Sequence, residues 1–403
     1  MAFSVEQAND YMAKLLAAVA QLGGSDLFIS AGFPPSMKSD GEMRHMSDQR
    51  LTGEVTRRLA EAIMTEAQTK AFQQDLECNF AVEVEGGFRF RVNAYMQQKN
   101  VAMVARAISS TIPTMESVGI PDALGEIAMR KRGLVLVVGA TGSGKSTTLA
   151  ALVDHRNTSS KGHIVTIEDP IEYVHASKGC LVSHREVGID TRSWEAALKS
   201  ALRQAPDVIM IGEIRDAETM EHALALSETG HLCLGTLHAN NAIKAIDRIV
   251  NFFPSERRKQ TLMDLSSNLE AIVSQRLIKK ADGDGRAAAF EVLLATPLIR
   301  DLIAKGSIDE ARAAMESQSS SEHGMATFDN SLLAMYDSGV IDYLEAVRHA
   351  DSATNLKLAI KTKSARGEPK APSGPSSLAV AHDPREEAEA RLAAAKASAA
   401  TKS

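Results

Sequence analysis

What this sequence is short of narrows its chemistry before any motif is read. Aromatic residues are 4% of the 403, with one tryptophan and five tyrosines. No basic segment is interleaved with them, so a platform for stacking nucleic-acid bases is missing. Positive charge is not in excess either. The 45 basic residues face 51 acidic ones, for a net charge of −6. That speaks against a surface dominated by phosphate-backbone contacts, although a local basic groove stays open. The three cysteines, Cys78, Cys180 and Cys233, are too far apart for a zinc cluster or a disulfide framework. They are expected to be reduced and partly buried. The longest apolar runs, 134–138 and 208–211, fall far short of the ~20 residues that a membrane span needs. Glu6 and Asp10 stand where a secretory leader would be basic and then apolar. These absences predict a cytoplasmic protein with no direct membrane insertion and no nucleic-acid partner.

What is present begins with a loop. Gly139-Ala140-Thr141-Gly142-Ser143-Gly144-Lys145-Ser146 matches the phosphate-cradling pattern G-x-x-x-x-G-K-[ST] at every required position. An apolar, β-branched run, Gly133–Val138, precedes it and reads as a buried strand. Thr147–Leu152 follows and reads as a helix. The glycines let backbone N–H groups turn onto phosphates, and the helix N-terminus adds partial positive charge. Lys145 would reach the β- and γ-phosphates, and the Ser146 hydroxyl would ligate Mg²⁺. Residues 139–146 with Thr147 are therefore the candidate ATP site.

Three further constellations follow. Val165-Thr166-Ile167-Glu168-Asp169-Pro170-Ile171-Glu172 is a strand that ends in carboxylates. The C-terminal ends of parallel strands face the ligand crevice, so Glu168 and Asp169 could orient water, take its proton or help hold Mg²⁺. Glu168 is the first choice to activate water, because its strand reads as a neighbour of the loop's own. Pro206-Asp207-Val208-Ile209-Met210-Ile211-Gly212-Glu213-Ile214-Arg215-Asp216 is a second apolar strand leading to an acid. Glu213 would act on Mg²⁺ directly or through water, and is the alternative for water activation. Arg215 and Asp216 read as a structural pair. In Thr229-Gly230-His231…Thr236-Leu237-His238-Ala239-Asn240, histidines bracket a strand. His238 could contact the γ-phosphate, while His231 reads as structural or at an interface.

The organisation is α/β. Residues 1–110 read as a small α+β domain: helices 5–22 and 52–72, strands 26–30 and 101–108, and a hairpin 79–84/88–95 around Gly86-Gly87. Residues 111–125 read as a linker. Residues 126–363 read as an α/β domain with strands at 134–138, 163–167, 208–212 and 232–237. Its helices are expected at 194–203, 216–229, 242–250, 256–278, 297–305 and 327–338. That alternation predicts a mostly parallel sheet covered on both faces. From 364 to 403 the composition turns to Ala, Ser, Pro, Gly, Lys and Glu, a low-complexity tail expected to be disordered, with a frayed helix at 384–398.

Taken in order, phosphate loop, Glu-Asp-Pro-Ile-Glu, Ile-Gly-Glu-Ile-Arg-Asp and Thr-Gly-His…Thr-Leu-His-Ala-Asn resemble the Walker A, Asp box, Walker B and His box of the type II/type IV secretion ATPases. Within that superfamily the chain resembles the type IV pilus retraction ATPases, the PilT/PilU family. Its first domain is short, and no four-cysteine insert follows the His box. Ala205, where PilT typically has Asp, and the long tail look more like PilU. The resemblance implies a RecA-like P-loop ATPase domain preceded by a PAS-like domain. It implies a homo-hexameric ring that hydrolyses ATP with Mg²⁺ for pilus retraction and twitching motility. It also implies a PilT-type partner and attachment to the inner-membrane pilus platform protein. Arginines of the first domain close on the phosphates in this family. By position these resemble Arg91 and Arg106, with Arg248 and Arg276 as weaker candidates. Two other readings remain: an ATP-binding accessory subunit whose own hydrolysis is dispensable, and a RecA-like nucleic-acid motor.

Overall fold

The structure, a computed structural model, describes residues 4–39, 42–108, 111–317 and 324–367. The tail read as disordered lies outside them from residue 368 onward. Two sheets organise the chain. The first contains β1 (Asp26–Ile29), β2 (Ser36–Ser39), β3 (Glu42–His45), β4 (Glu77–Val84), β5 (Phe88–Gln97) and β6 (Asn100–Ile108), in the antiparallel order β3-β2-β1-β6-β5-β4. The helices Val5–Gln21 and Gly53–Ala62 contribute Met12, Leu16 and Leu59 to its core, against Leu27, Phe90, Val92 and Met103. Side chains alternate along a strand. Phe90, Val92 and Ala94 are therefore buried, and Arg89, Arg91 and Asn93 fall on the other face.

The second sheet contains β7 (Gly133–Val138), β8 (Gly162–Glu168), β9 (Cys180–Glu186), β10 (Val208–Ile211), β11 (Leu232–Leu237), β12 (Leu269–Lys279) and β13 (Arg286–Leu294). Its order is β13-β12-β7-β11-β10-β8-β9, parallel throughout except for the β12–β13 hairpin. All six residues of β7 are buried. Leu134, Leu136 and Val138 enter one apolar layer and Val135 and Val137 the other, so helices cover both faces as the alternation predicts. A third cluster joins Phe328, Leu332, Ile341, Leu356 and Ile360 to Ile278 and Ala289 of the hairpin. It docks the helices Phe328–Asp337, Tyr343–His349 and Ala353–Lys363.

Several elements differ from the sequence expectation. The helix expected over 52–72 is two helices, Gly53–Ala62 and Glu66–Asp75. Thr65 and Gln68 form a capping box that starts the second one. The helix expected over 256–278 ends at Asn268, and its remainder is β12. Strands β2, β3, β9 and β13 and the helices after 340 are additions to the expected elements. The stretch 111–125 carries a helical turn, Met115–Val118, and the start of the helix Asp122–Ala128. Finally, β8 is not the neighbour of β7. Strands β11 and β10 lie between them, so Glu168 is beside the Glu213 strand rather than the loop's own.

Candidate functional site

The phosphate loop joins β7 to the helix Lys145–Ser159. Gly144 caps that helix with φ 91° and no side-chain cap bond, so the first-turn N–H groups are open to an anion. A Cβ on Gly144 would lie 2.9 Å from Gln275 Nε2, and one on Gly139 would lie 2.7 Å from the Gln275 carbonyl. The loop is thus seated tightly on β12. Thr148 Oγ1 donates to Gln275 Oε1 at 2.7 Å and anchors the helix to the same strand. The hydroxyl of Ser143 is buried without a partner. Lys145 Nζ folds onto the loop, donating to the carbonyls of Gly139 and Ala140 at 3.0 Å each. Burial lowers the pKa of its ammonium, while Glu213 and Glu172 act in the opposite sense.

The ends of β8, β10 and β11 open onto the same cleft, which has a volume of about 570 Å³, adequate for a nucleotide-sized ligand. Thr141, Gly142, Gly144, Lys145, Ser146 and Thr147 line it together with Glu168, Glu213 and His238. Gly139, Ala140 and Ser143 line the adjoining hollow behind the loop. Glu168 is 5% exposed. Its Oε2 accepts from Glu172 N at 3.3 Å, and Oε1 has no hydrogen bond. Glu213 is fully engaged: Oε2 accepts from Arg215 Nη2 at 2.6 Å and Oε1 lies 2.9 Å from His238 Nε2. Arg215 chiefly, then His238 and Lys145, hold the Glu213 carboxyl below its ordinary pKa against the effect of burial.

That geometry corrects one pairing. Arg215 bonds Glu213, whereas Asp216 caps the helix Ala217–Glu228 by accepting from Thr219 N. It also brings in residues that sequence reasoning missed. Tyr173 holds Thr147 through a 3.1 Å hydroxyl contact, and Glu172 and Arg286 line the cleft. Tyr173 directly follows the Asp-box motif, a signal that was available. Arg286 opens β13, a strand absent from the sequence expectation. His231, read as structural or at an interface, contacts the Thr229 hydroxyl and Leu226 O at the far end of β11.

Arg91 and Arg106 do not line this cleft within one chain. They are direct cross-strand partners on the first sheet, so they share a face as their strand positions predict. The charges of Arg89 and Arg91 reach Glu186, whose pKa burial raises and these arginines lower. Glu186 in turn accepts from Ile171 N in the Asp-box loop. Arg276 stacks on Phe328 at 3.8 Å and binds Asp351 and the His349 carbonyl, tying down the C-terminal helices. Arg248 lies 5.8 Å from the Phe252 ring.

A family model for type II/IV secretion system proteins matches residues 10–330. The chain belongs to that family. It is 54% identical to the type IV pilus ATPase PilU of Pseudomonas aeruginosa over 86% of this chain and 91% of that one. It is 46% identical to the type IV pilus retraction ATPase PilT of the same organism, over 85% and 99%. Among solved structures it resembles the pilus retraction motor PilT with bound ADP, with a TM-score of 0.80 and 40% identity over 86% and 98%. The fold class is accordingly a RecA-like P-loop domain preceded by a small α+β domain. Ala205, read from the sequence as a departure from PilT, has φ 50° and ψ 52°. Aspartate tolerates this left-handed conformation better than alanine does. Among the described residues no helix is long and apolar enough to cross a membrane.

Proposed function

We propose that this chain is an ATPase of a homo-hexameric ring that powers type IV pilus retraction in twitching motility. The ring would work beside a PilT-type partner, on the cytoplasmic side of the inner membrane, docked to the pilus platform protein. The observation that carries the reading is the meeting of phosphate loop, Glu168, Glu213 and His238 in one cleft, in a chain 54% identical to a type IV pilus ATPase.

Lys145 would exchange its two carbonyl partners for β- and γ-phosphate oxygens, while the loop amides hold the same phosphates. Ser146 and Glu213 are the residues that would hold Mg²⁺, whose chemistry is charge neutralisation at the phosphates. Both suit a hard, oxygen-seeking cation. One is a hydroxyl at the helix start, and the other is a carboxylate kept ionised by Arg215. Because Arg215 and His238 occupy both Glu213 oxygens, contact through water fits as well. Glu168 is the better water activator. A carboxylate held ionised by Arg215 is a weak proton acceptor, whereas Glu168 has an oxygen without a hydrogen bond. Glu168 would orient the water and take its proton. His238 would sense phosphate through Glu213. Arg91 and Arg106 would neutralise the transition state when the first domain closes.

Lys145→Ala is expected to abolish ATP turnover by the purified protein. Turnover at the wild-type level in that variant would show the site to be misplaced. The second reading, an accessory subunit, is favoured by the greater identity to PilU than to PilT. It predicts that Lys145→Ala still restores retraction in cells that retain a PilT-type partner.

A further inference from the structure

One row of the first sheet has an unusual charge order. Lys38, Asp26, Arg106, Arg91 and Ala81 are successive cross-strand partners, so all stand on one face. The row contains three cations and one carboxylate. Arg91 and Arg106 sit directly opposite each other, an arrangement that destabilises a sheet. The next arginine along, Arg89, has Glu83 opposite it, while the cross-strand partners of Arg91 are Arg106 and Ala81, and the acid whose charge it feels, Glu186, lies on the second sheet.

The single carboxylate is closely held. Asp26 is 5% exposed, although the Arg106 side chain above it is 72% exposed. Oδ1 accepts from Arg106 Nε at 2.8 Å, and Oδ2 accepts from Ser25 Oγ at 2.8 Å. The bond takes the Nε edge of the guanidinium and leaves both terminal nitrogens outside it. Those terminal nitrogens form the fork that suits a phosphate. A carboxylate sunk beneath one exposed arginine adds little net stability. The direction it imposes on that arginine is the better account of why it is there.

We infer that Asp26 is a positioning residue for Arg106, fixing it by Nε so that its terminal nitrogens present a preset two-pronged donor to the nucleotide phosphates. The inference rests on the reading of Arg106 as a transition-state cation. Asp26 also offsets the repulsion between Arg106 and Arg91, so that both cations can face the same anion.

The test is a double-mutant cycle on ATP turnover by the full chain, with nucleotide affinity measured alongside. Arg106→Ala is expected to lower kcat by ~10³-fold, and Asp26→Ala by about 10²-fold, the scale of a misaligned catalytic group. Both should leave the Kd for a fluorescent ATP analogue within about twofold, because the loop supplies ground-state binding. The double variant should be no slower than Arg106→Ala alone. Asp26→Asn, which keeps an acceptor for Nε, should recover part of the loss. If Asp26→Ala does not fold, Asp26→Ser replaces it: the hydroxyl is too short to hold Nε where the carboxylate does, and kcat should fall similarly. Wild-type turnover in Asp26→Ala beside an impaired Arg106→Ala overturns the inference. So do losses that multiply in the double variant, since they mark Asp26 as merely structural. Wild-type turnover in Arg106→Ala overturns the underlying reading of Arg106 and the inference with it.

Discussion

His175 lines the nucleotide cleft behind Glu168, yet its side chain is only 1% exposed. Neither ring nitrogen is hydrogen-bonded. Burial first, and then the neighbouring His184, push its pKa down from 6.5 to about 4, while Asp154 and Glu168 pull it upward. A base whose folded pKa is depressed binds fewer protons folded than unfolded. Stability from this group is therefore complete above about pH 6.5 and is lost as pH falls toward 4. At roughly 1.4 kcal/mol per pH unit, going to pH 5 removes about 2 kcal/mol. His175→Leu deletes the titration. It sacrifices no ring hydrogen bond, and the stacking on His184, at a centroid distance of 5.7 Å, is the contact it loses. The variant should be near neutral at pH 7.5. At pH 5 it should hold about 2 kcal/mol more than wild type, relative to that baseline. Trp194 is the sole tryptophan and packs against the core of the second sheet, so its fluorescence in urea reads the right domain. Parallel losses in wild type and variant between pH 7.5 and 5 would refute the reasoning.

Glu168→Gln should bind ATP normally and hydrolyse it at least ~10²-fold more slowly, the usual weight of a general base; loss of binding instead would make Glu168 a structural residue. Ala205→Gly should raise stability by ~1 kcal/mol, because an exposed alanine held at φ 50° carries a left-handed cost that glycine lacks. An unchanged urea midpoint would count against strain at that position.

The centre of the second domain is legible because β7, β10 and β11 are short, wholly buried and followed by recognisable loops. Gly133–Val138 announces itself by composition, and the phosphate loop fixes where it ends. What fails is equally specific. Residues 269–279 extend the apolar pattern of the helix before them, and nothing in Leu269–Ile278 marks the change of period. The marker lies further on, in Asp282-Gly283-Asp284-Gly285, where Gly283 and Gly285 have φ 80° and 78°. That hairpin signal implies strands on both sides, and it carries β13 and Arg286 together. Thr65-Glu66-Ala67-Gln68 is another readable sign, a capping box inside what looks like one helix.

The site shows a different limit. Glu168, Glu213 and His238 are each identifiable as strand-end residues, and strand ends on one side of a parallel sheet must share a crevice. Which of them bond to one another depends on strand order, which local pattern does not encode. Because β8 follows β7 in sequence, Glu168 reads as a neighbour of the loop, but the sheet inserts β10 and β11 between them. The arginines make the same point through register. Alternation alone puts Arg91 and Arg106 on one face, yet the carboxylate that grips Arg106 comes from a strand 80 residues earlier. Periodicity assigns a side chain to a face and pairing decides its neighbours, so charge compensation belongs to the register of β1 on β6. A one-residue slip of β1 would bring Leu27 opposite Arg106 and turn Asp26 toward the apolar core. The cost of burying that carboxylate among Met12, Leu16 and Phe90 is what forbids the slip. The same burial preference that builds the first sheet therefore also keeps Asp26 beneath Arg106.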